Sequence, residues 1–183
     1  MSIGWKGEHV RLVGLDREKH FANAMIWLND PEVTEFLKIG DFPIGAVAES
    51  AYFDRATGEI TNNISFAVET LEGKHIGFSG LHAIDFRNGF ATSGTVLGAK
   101  EIWGKGYGTD AARVRACYAF EVLGLRMLLS GAFEGNERSL KMQEKVGYKV
   151  YGRCPKKFWK RGQYRDLIQT VLTREDWEAA RAK

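Results

Sequence analysis

The stretch WGKGYGTDAARVRACYAF, residues 103–120, decides the fold. Gly104, Gly106 and Gly108 alternate with larger residues, and the chain then turns into an unbroken helical pattern. Glycines just ahead of a helix remove bulk where the first N–H groups have no partner and the macrodipole is positive. Such an end holds phosphate. A P-loop needs GxxxxGK followed by Ser or Thr, but here Lys105 lies between the glycines. A dinucleotide fingerprint fits weakly: position 109 is Thr109, and the region about 20 residues on reads LGLRML, without the acidic residue that would hold a ribose. The remaining candidate is a pyrophosphate whose carrier lies between splayed strands, as coenzyme A does.

Outward from this stretch, the period before it is two. NISFAVET, HIGFSGLHAIDF and FATSGTVLGA read as three strands joined by LEGK and by RNG, whose Asn88-Gly89 pair signals a hairpin. Earlier still, HVRLVGL alternates as a strand, and Asp16 caps a helix over residues 17–28. NDPEVTEFL predicts a short helix with Asp30 as cap and Pro31 in the first turn, and another helix is expected over 46–56. Downstream, RMLLSGAF reads as a strand and NERSLKMQEKV as a helix stopped by Gly147. YKVYGRC and RDLIQTVLT read as strands around a basic aromatic loop, and REDWEAARAK closes as a helix. A meander followed by strand–helix alternation gives an α+β fold.

The 183 residues are expected to form a single domain over 1–183, with no internal repeat and only three prolines to mark a boundary. No run of about 18 apolar residues suggests a membrane span, and the start lacks a secretory pattern, so the expected location is cytoplasmic. Cys117 and Cys154 show no CxxC and no metal-type spacing, so neither a disulfide framework nor a metal is expected. A net charge of +3 is too small to imply nucleic acid by itself.

The ordered set of an early strand and helix pair, the RNG hairpin, the glycine loop, GNERS, KVGY and a late GQYRD resembles the GNAT superfamily of N-acetyltransferases. Within it, the resemblance is to the branch that includes the ribosomal-protein N-terminal acetyltransferases. It implies a mostly antiparallel twisted sheet, splayed to hold acetyl-CoA and flanked by helices. It implies that N–H groups of Gly104, Lys105, Gly106, Tyr107 and Gly108, with Thr109, hold the pyrophosphate next to Trp103. Backbone at Leu97, Gly98 and Ala99 would pair with the pantetheine arm, and an N–H there would polarise the thioester carbonyl. Asn136 would contact the cofactor, and Ser139 would sit near the thioester sulfur. Two positions depart from the family pattern: Trp103 stands where many relatives carry Arg or Gln, and the tyrosine that protonates the leaving thiolate in many members falls at Gln143. Ser139 is then the candidate donor to the departing sulfur.

An amine attacks only when neutral. An α-amine with a pKa near 7.8 is about one part in seven neutral at pH 7, a lysine about one part in 2,500, a difference of about 3.5 kcal/mol. Candidates for a base are Glu101, His82 and Asp85, on or beside the strands leading into the glycine loop. Each site residue also has a structural reading: the glycines as a tight turn, Asn136 as a helix cap, Ser139 as a solvated first-turn serine, His82 as a packed histidine, Glu101 as a loop carboxylate. The resemblance points to the α-amine of a protein or peptide as acceptor, with a polyamine or antibiotic-type amine as the alternative and a homodimer as a reasonable expectation. A non-catalytic acyl-CoA-binding module and a nucleic-acid binder acting through KKFWKRGQYR are the rival classes, the latter disfavoured by the small net charge.

Overall fold

In the computed structural model, which describes residues 5–58 and 62–182, the period-two segments build one eight-stranded sheet. Its strands are β1 (Trp5–Lys6), β2 (Val10–Gly14), β3 (Ile64–Thr70), β4 (His75–Asp85), β5 (Phe90–Leu97), β6 (Met127–Phe133), β7 (Lys149–Lys160) and β8 (Gln163–Thr173), in the order β1-β2-β3-β4-β5-β6-β8-β7. Helices α1 (Arg17–Trp27), α2 (Ala46–Thr57), α3 (Tyr107–Cys117), α4 (Glu137–Val146) and α5 (Arg174–Arg181) flank it. The caps read from sequence close these helices: Asp16 accepts the N–H groups of Glu18 and Lys19, and Gly147 ends α4 at φ +108°. Among the described residues no helix is long and apolar enough to cross a membrane.

All strand pairs are antiparallel except β5 with β6, and that exception shapes the molecule. The parallel ladder joins only Phe90, Ala91 and Thr92 to Met127, Leu128 and Leu129, although both strands continue for several residues. Beyond it the strands diverge. Serines mark the parting: Ser130 Oγ donates to the Ser93 carbonyl at 3.1 Å, and Ser93 Oγ lies 2.8 Å from the buried Tyr148 hydroxyl.

The core that holds this sheet rigid includes Val10, Leu12, Ile76, Leu81, Ala111, Ala112, Phe120, Leu128 and Leu172. Burying a leucine contributes about 1.5–3 kcal/mol. Asp110, in the first turn of α3, anchors that helix to the sheet entry. Its buried carboxylate accepts N–H groups from Glu8 (3.2 Å), His9 (2.8 Å) and Val10 (3.0 Å).

Two segments depart from the sequence reading. NDPEVTEFL forms successive turns instead of a helix. Asp30 does accept the Glu32 N–H, but Thr34 Oγ1 closes back on the Asp30 carbonyl and Leu37 N–H on that of Thr34, so tight local bonds replace the helical ladder. The basic aromatic loop is instead strand: β7 and β8 run out to Lys160 and Gln163, joined by Arg161 and Gly162 at φ +47° and +83°. That is the backbone of a two-residue hairpin turn.

Candidate active site

After Leu97 the chain makes a short helical turn, Lys100–Ile102, and enters the glycine loop with Gly104 at φ +77° and Gly106 at φ +90°. Gly106 is the N-cap of α3 and brings no side-chain cap. Trp103 N–H is spent on the Lys100 carbonyl, and Lys105 N–H on that of Ile102; Asp110 N–H opens the helical ladder on Gly106. The N–H groups of Gly104, Gly106, Tyr107, Gly108 and Thr109 therefore have no backbone partner among the described residues. Such a fan of donors at a helix start suits a pyrophosphate. Lys105 drops out of the expected set, since its amide is occupied and its side chain is not part of the cleft wall. Trp103 is a strut: its indole donates to the Leu97 carbonyl at 2.9 Å, and Arg138 stacks over the ring at 5.4 Å.

The free edge of β5 lies slightly earlier than expected. Gly98 and Ala99 both donate to the Ile76 carbonyl, at 3.0 and 3.3 Å, so neither amide can pair with a ligand. Gly98 is glycine for packing, because a Cβ there would stand 1.9 Å from the Trp27 ring. Peptide groups alternate between the two edges of a strand. With Gly98 turned to β4 and the Leu97 carbonyl turned to Trp103, the groups on the open side belong to Thr95 and Leu97. Leu97, one of the expected edge residues, lies on this open side together with Thr95, whereas the Gly98 and Ala99 amides face β4.

Two cavities of about 680 Å³ each meet at this edge. One runs from the glycine loop past Leu97 and Trp103; the other opens among Leu28, Ile44, Tyr52, Phe78 and His82. Thr95, Val96, Asn136, Ser139 and Met142 line both. Asn136 caps α4 by accepting the Ser139 N–H at 3.1 Å, so its structural and site readings coexist. Gln143 is buried at the position of the missing tyrosine. Its Nε2 donates to Ser139 Oγ at 3.0 Å, and its Oε1 accepts from Thr170 Oγ1. Ser139, already an acceptor, retains its own proton to donate into the cleft.

Of the candidate bases His82 lines the second of these cavities, and Glu101 and Asp85 line neither. It is exposed at the rim yet crowded by protein, and that crowding, then the charges of Arg115 and Lys38, holds its imidazole below the ordinary histidine range. These effects favour its neutral form. Glu101 lines neither cavity; it pairs on the surface with Lys74 at 2.6 Å, a hydrogen bond that holds its carboxyl low. Asp85 builds the hairpin turn, accepting the Asn88 N–H at 2.8 Å. Glu101 lies on the short helical turn ahead of the glycine loop and Asp85 at the opposite end of β5, and the side chains of both are engaged elsewhere.

Arg115 and Glu49 are cavity residues that the sequence reading missed. The signal was present in the helical spacing. Arg115 shares the buried stripe of Ala111, Ala112 and Ala119, and Glu49 that of Phe53, so both charges point inward.

Comparison with known proteins gives a consistent result. The profile described as Acetyltransferase (GNAT) domain matches residues 9–149. The Bacillus subtilis (strain 168) protein named "Putative ribosomal N-acetyltransferase YdaF" is 35% identical over 107 residues, 58% of this chain and 58% of its own length. Spermidine N(1)-acetyltransferase of Escherichia coli (strain K12) is 31% identical over 84 residues, 46% of this chain and 45% of its own. The chain thus matches about half the length of these curated relatives. The crystal structure of spermidine N-acetyltransferase from Vibrio cholerae in complex with CoA and spermine superposes with a TM-score of 0.84, over 92% of this chain and 98% of that one. At 18% identity this is a likeness of fold alone. Since the matched span runs from the start of β2 to the start of β7 and contains the glycine loop, the β5 edge and all of α4, the chain belongs to the GNAT acetyltransferase family.

Proposed function

We propose that the protein transfers the acetyl group of acetyl-CoA directly to a primary amine, and that the preferred amine is the α-amine of a protein or peptide. The observation that carries this reading is the meeting of two cavities at the unpaired edge of β5, one starting at the glycine amides and the other reaching the surface beside α2. Acetyl-CoA supplies the thioester. The amides of the glycine loop bind and orient its pyrophosphate, and Thr95 and Leu97 offer edge hydrogen bonds to the arm. The amine nitrogen adds to the thioester carbon, the C=O electron pair moves to the oxygen, and its return breaks the carbon–sulfur bond and releases the thiolate. His82 takes the proton from the nitrogen, directly or through water, and Ser139 donates to the departing thiolate. With Glu101 and Asp85 engaged elsewhere, the proton goes to a histidine whose pKa is lowered, a weak base that suits an amine already about one part in seven neutral at pH 7. The name of the Bacillus subtilis relative supports the same choice. Cytoplasmic residence, a single domain over 1–183 and a homodimer belong to this reading as expectations from the sequence.

The test is a calorimetric titration with acetyl-CoA, followed by thiol release in the presence of peptides with free α-amines. One site per chain and peptide-dependent thiol release are expected. No binding at millimolar acetyl-CoA would overturn the reading, and binding without thiol release for any amine would leave an acyl-CoA-binding module.

One observation favours a small cationic amine instead. Glu49 is buried against the second cavity without a hydrogen bond or ion pair among the described residues, and burial raises its carboxyl pKa. A second positive group on the acceptor would fill that place, and one relative is named for spermidine. On this reading Glu49→Gln raises KM for a polyamine about tenfold, the cost of one exchanged charge contact near 1.4 kcal/mol. An unchanged polyamine KM would dismiss it.

A further inference from the structure

Arg115 is among the largest side chains that the fold buries fully, at 1% exposure, and no carboxylate pairs with it among the described residues. Its Nε has no hydrogen-bond partner among the described residues. Its Nη1 donates to Ser79 Oγ at 3.0 Å, to the Gly94 carbonyl at 2.7 Å and to Thr95 Oγ1. A buried charge without a counter-ion is costly, and an apolar side chain of similar volume would serve packing as well or better. Packing therefore does not account for it.

The place it grips does. The Gly94 carbonyl and the Thr95 N–H belong to one peptide unit. In β5 that carbonyl faces β4, where Gly80 stands opposite Gly94, so the Thr95 N–H leaves by the other edge. On that edge the ladder to β6 has already ended at Thr92, and the two cavities meet. A cation on a carbonyl oxygen draws electron density through the amide and makes its N–H a stronger donor.

We propose that Arg115 is a positioning residue that acts on the acyl site through the Gly94–Thr95 peptide, strengthening the Thr95 N–H as a donor to the thioester carbonyl oxygen. This rests on the proposed acetyl transfer. As the amine nitrogen adds to the thioester carbon, the electron pair of the C=O bond moves to that oxygen, and a donor aimed there helps the transition state more than the bound thioester. When the C–S bond breaks the pair returns, and the thiolate leaves. The same charge disfavours a protonated amine at the junction. The titratable and charged groups that line this cavity are Lys38, Glu49, Tyr52, His82 and Arg115, so Arg115 and Lys38 set a positive field there, with Glu49 the one carboxylate.

Arg115→Met and Arg115→Lys test this with three readouts. Arg115→Met is expected to fold with an unchanged or higher Tm, to bind acetyl-CoA within about twofold of the native affinity, and to lose at least tenfold in kcat. Its pH profile should shift its acid limb upward, because the amine no longer sits in the field of that charge. The Thr95 amide proton resonance should move upfield, and the His82 titration midpoint should rise. These two measurements need no turnover, so they decide on Arg115 even if the acetyl-transfer reading fails at the acetyl-CoA titration. Should Arg115→Met not fold, Arg115→Lys carries the test: it keeps the charge but loses the fork, so its kcat should drop and its Thr95 resonance move upfield, and native values of both in the folded Arg115→Lys protein overturn the proposal. Native kcat in Arg115→Met, or a Thr95 resonance that stays in place in a folded variant, overturns the proposal.

Discussion

Gly106→Val is expected to weaken acetyl-CoA binding about a hundredfold while leaving the sheet assembled. Gly106 sits at φ +90°, where an L-residue is strained by about 1–2 kcal/mol and a β-branched one by more. Steric overlap is not the cause, since the nearest foreign atom to a new Cβ is His9 Cδ2 at 3.9 Å. The cost falls on the conformation that turns the free amides of 106–109 to one point. A hydrogen bond to a charged partner is worth about 1.5–3 kcal/mol, so misaligning one or two of them gives about 2.7 kcal/mol, or a hundredfold. Gly124→Val is the control. It has φ +67° with open space around it and lies outside both cavities, so it bears a similar backbone penalty without touching the cleft. Calorimetric titrations of both variants separate the two effects, and native affinity in a folded Gly106→Val protein would remove the loop from the cofactor site.

Acidification from pH 7.5 to 5 is expected to destabilise the fold by about 2 kcal/mol through His75 alone. This ring is buried, with centroids 4.5 to 4.9 Å from those of His20, Trp27 and Phe78. Both nitrogens are satisfied by the neutral form: Nε2–H donates to the Gly77 carbonyl at 2.9 Å, and Nδ1 accepts from Asn23 Nδ2 at 3.1 Å. Burial first, and then the charge of His20, lowers its pKa to about 4. In the unfolded chain it titrates near 6.5, so between these values the unfolded state binds the proton and the folded state does not. Stability is complete above pH 6.5 and falls as pH drops toward 4. Glu69, paired with Arg11 and His20, has a lowered pKa as well and adds to the loss at the acid end. Urea midpoints measured across this range check it. A flat profile, or one that keeps its full slope in a folded His75→Gln variant, would show that His75 is not the titrating group.

Much of this architecture was legible where local chemistry and tertiary need agree. The Asn88-Gly89 hairpin, the Asp16 cap and the Gly147 stop each depend on bonds within a few residues, and all three took the expected form. The glycine loop was legible for the same reason: positive φ at Gly104 and Gly106 is a property of that segment. The β5 edge was placed too late because two distant residues decide it: Ile76 claims the amides of Gly98 and Ala99, and Trp27 claims the space over Gly98. Glu101 and Asp85 were misplaced because their commitments, to Lys74 and Asn88, depend on side-chain direction. In KKFWKRGQYR the dense charge hid a period-two pattern, visible once Trp159 and Tyr164 face each other across the hairpin at 4.9 Å.

The tip of that hairpin has a consequence for how such a protein changes over time. Lys160, almost fully buried, donates to the Ile39 carbonyl at 2.6 Å and faces Asp41 at 3.1 Å, while Arg161 reaches Thr34 Oγ1 at 3.1 Å. The connection between α1 and α2 supplies Phe36, Leu37, Lys38 and Ile39 to the second cavity, so its shape is set jointly by two segments more than 120 residues apart. Drift in one of them alone leaves a buried ammonium without its carbonyl or carboxylate. A lineage that takes up a new acceptor must then alter both segments together, or first lose the lysine, and Lys160 is the position at which that history would be written.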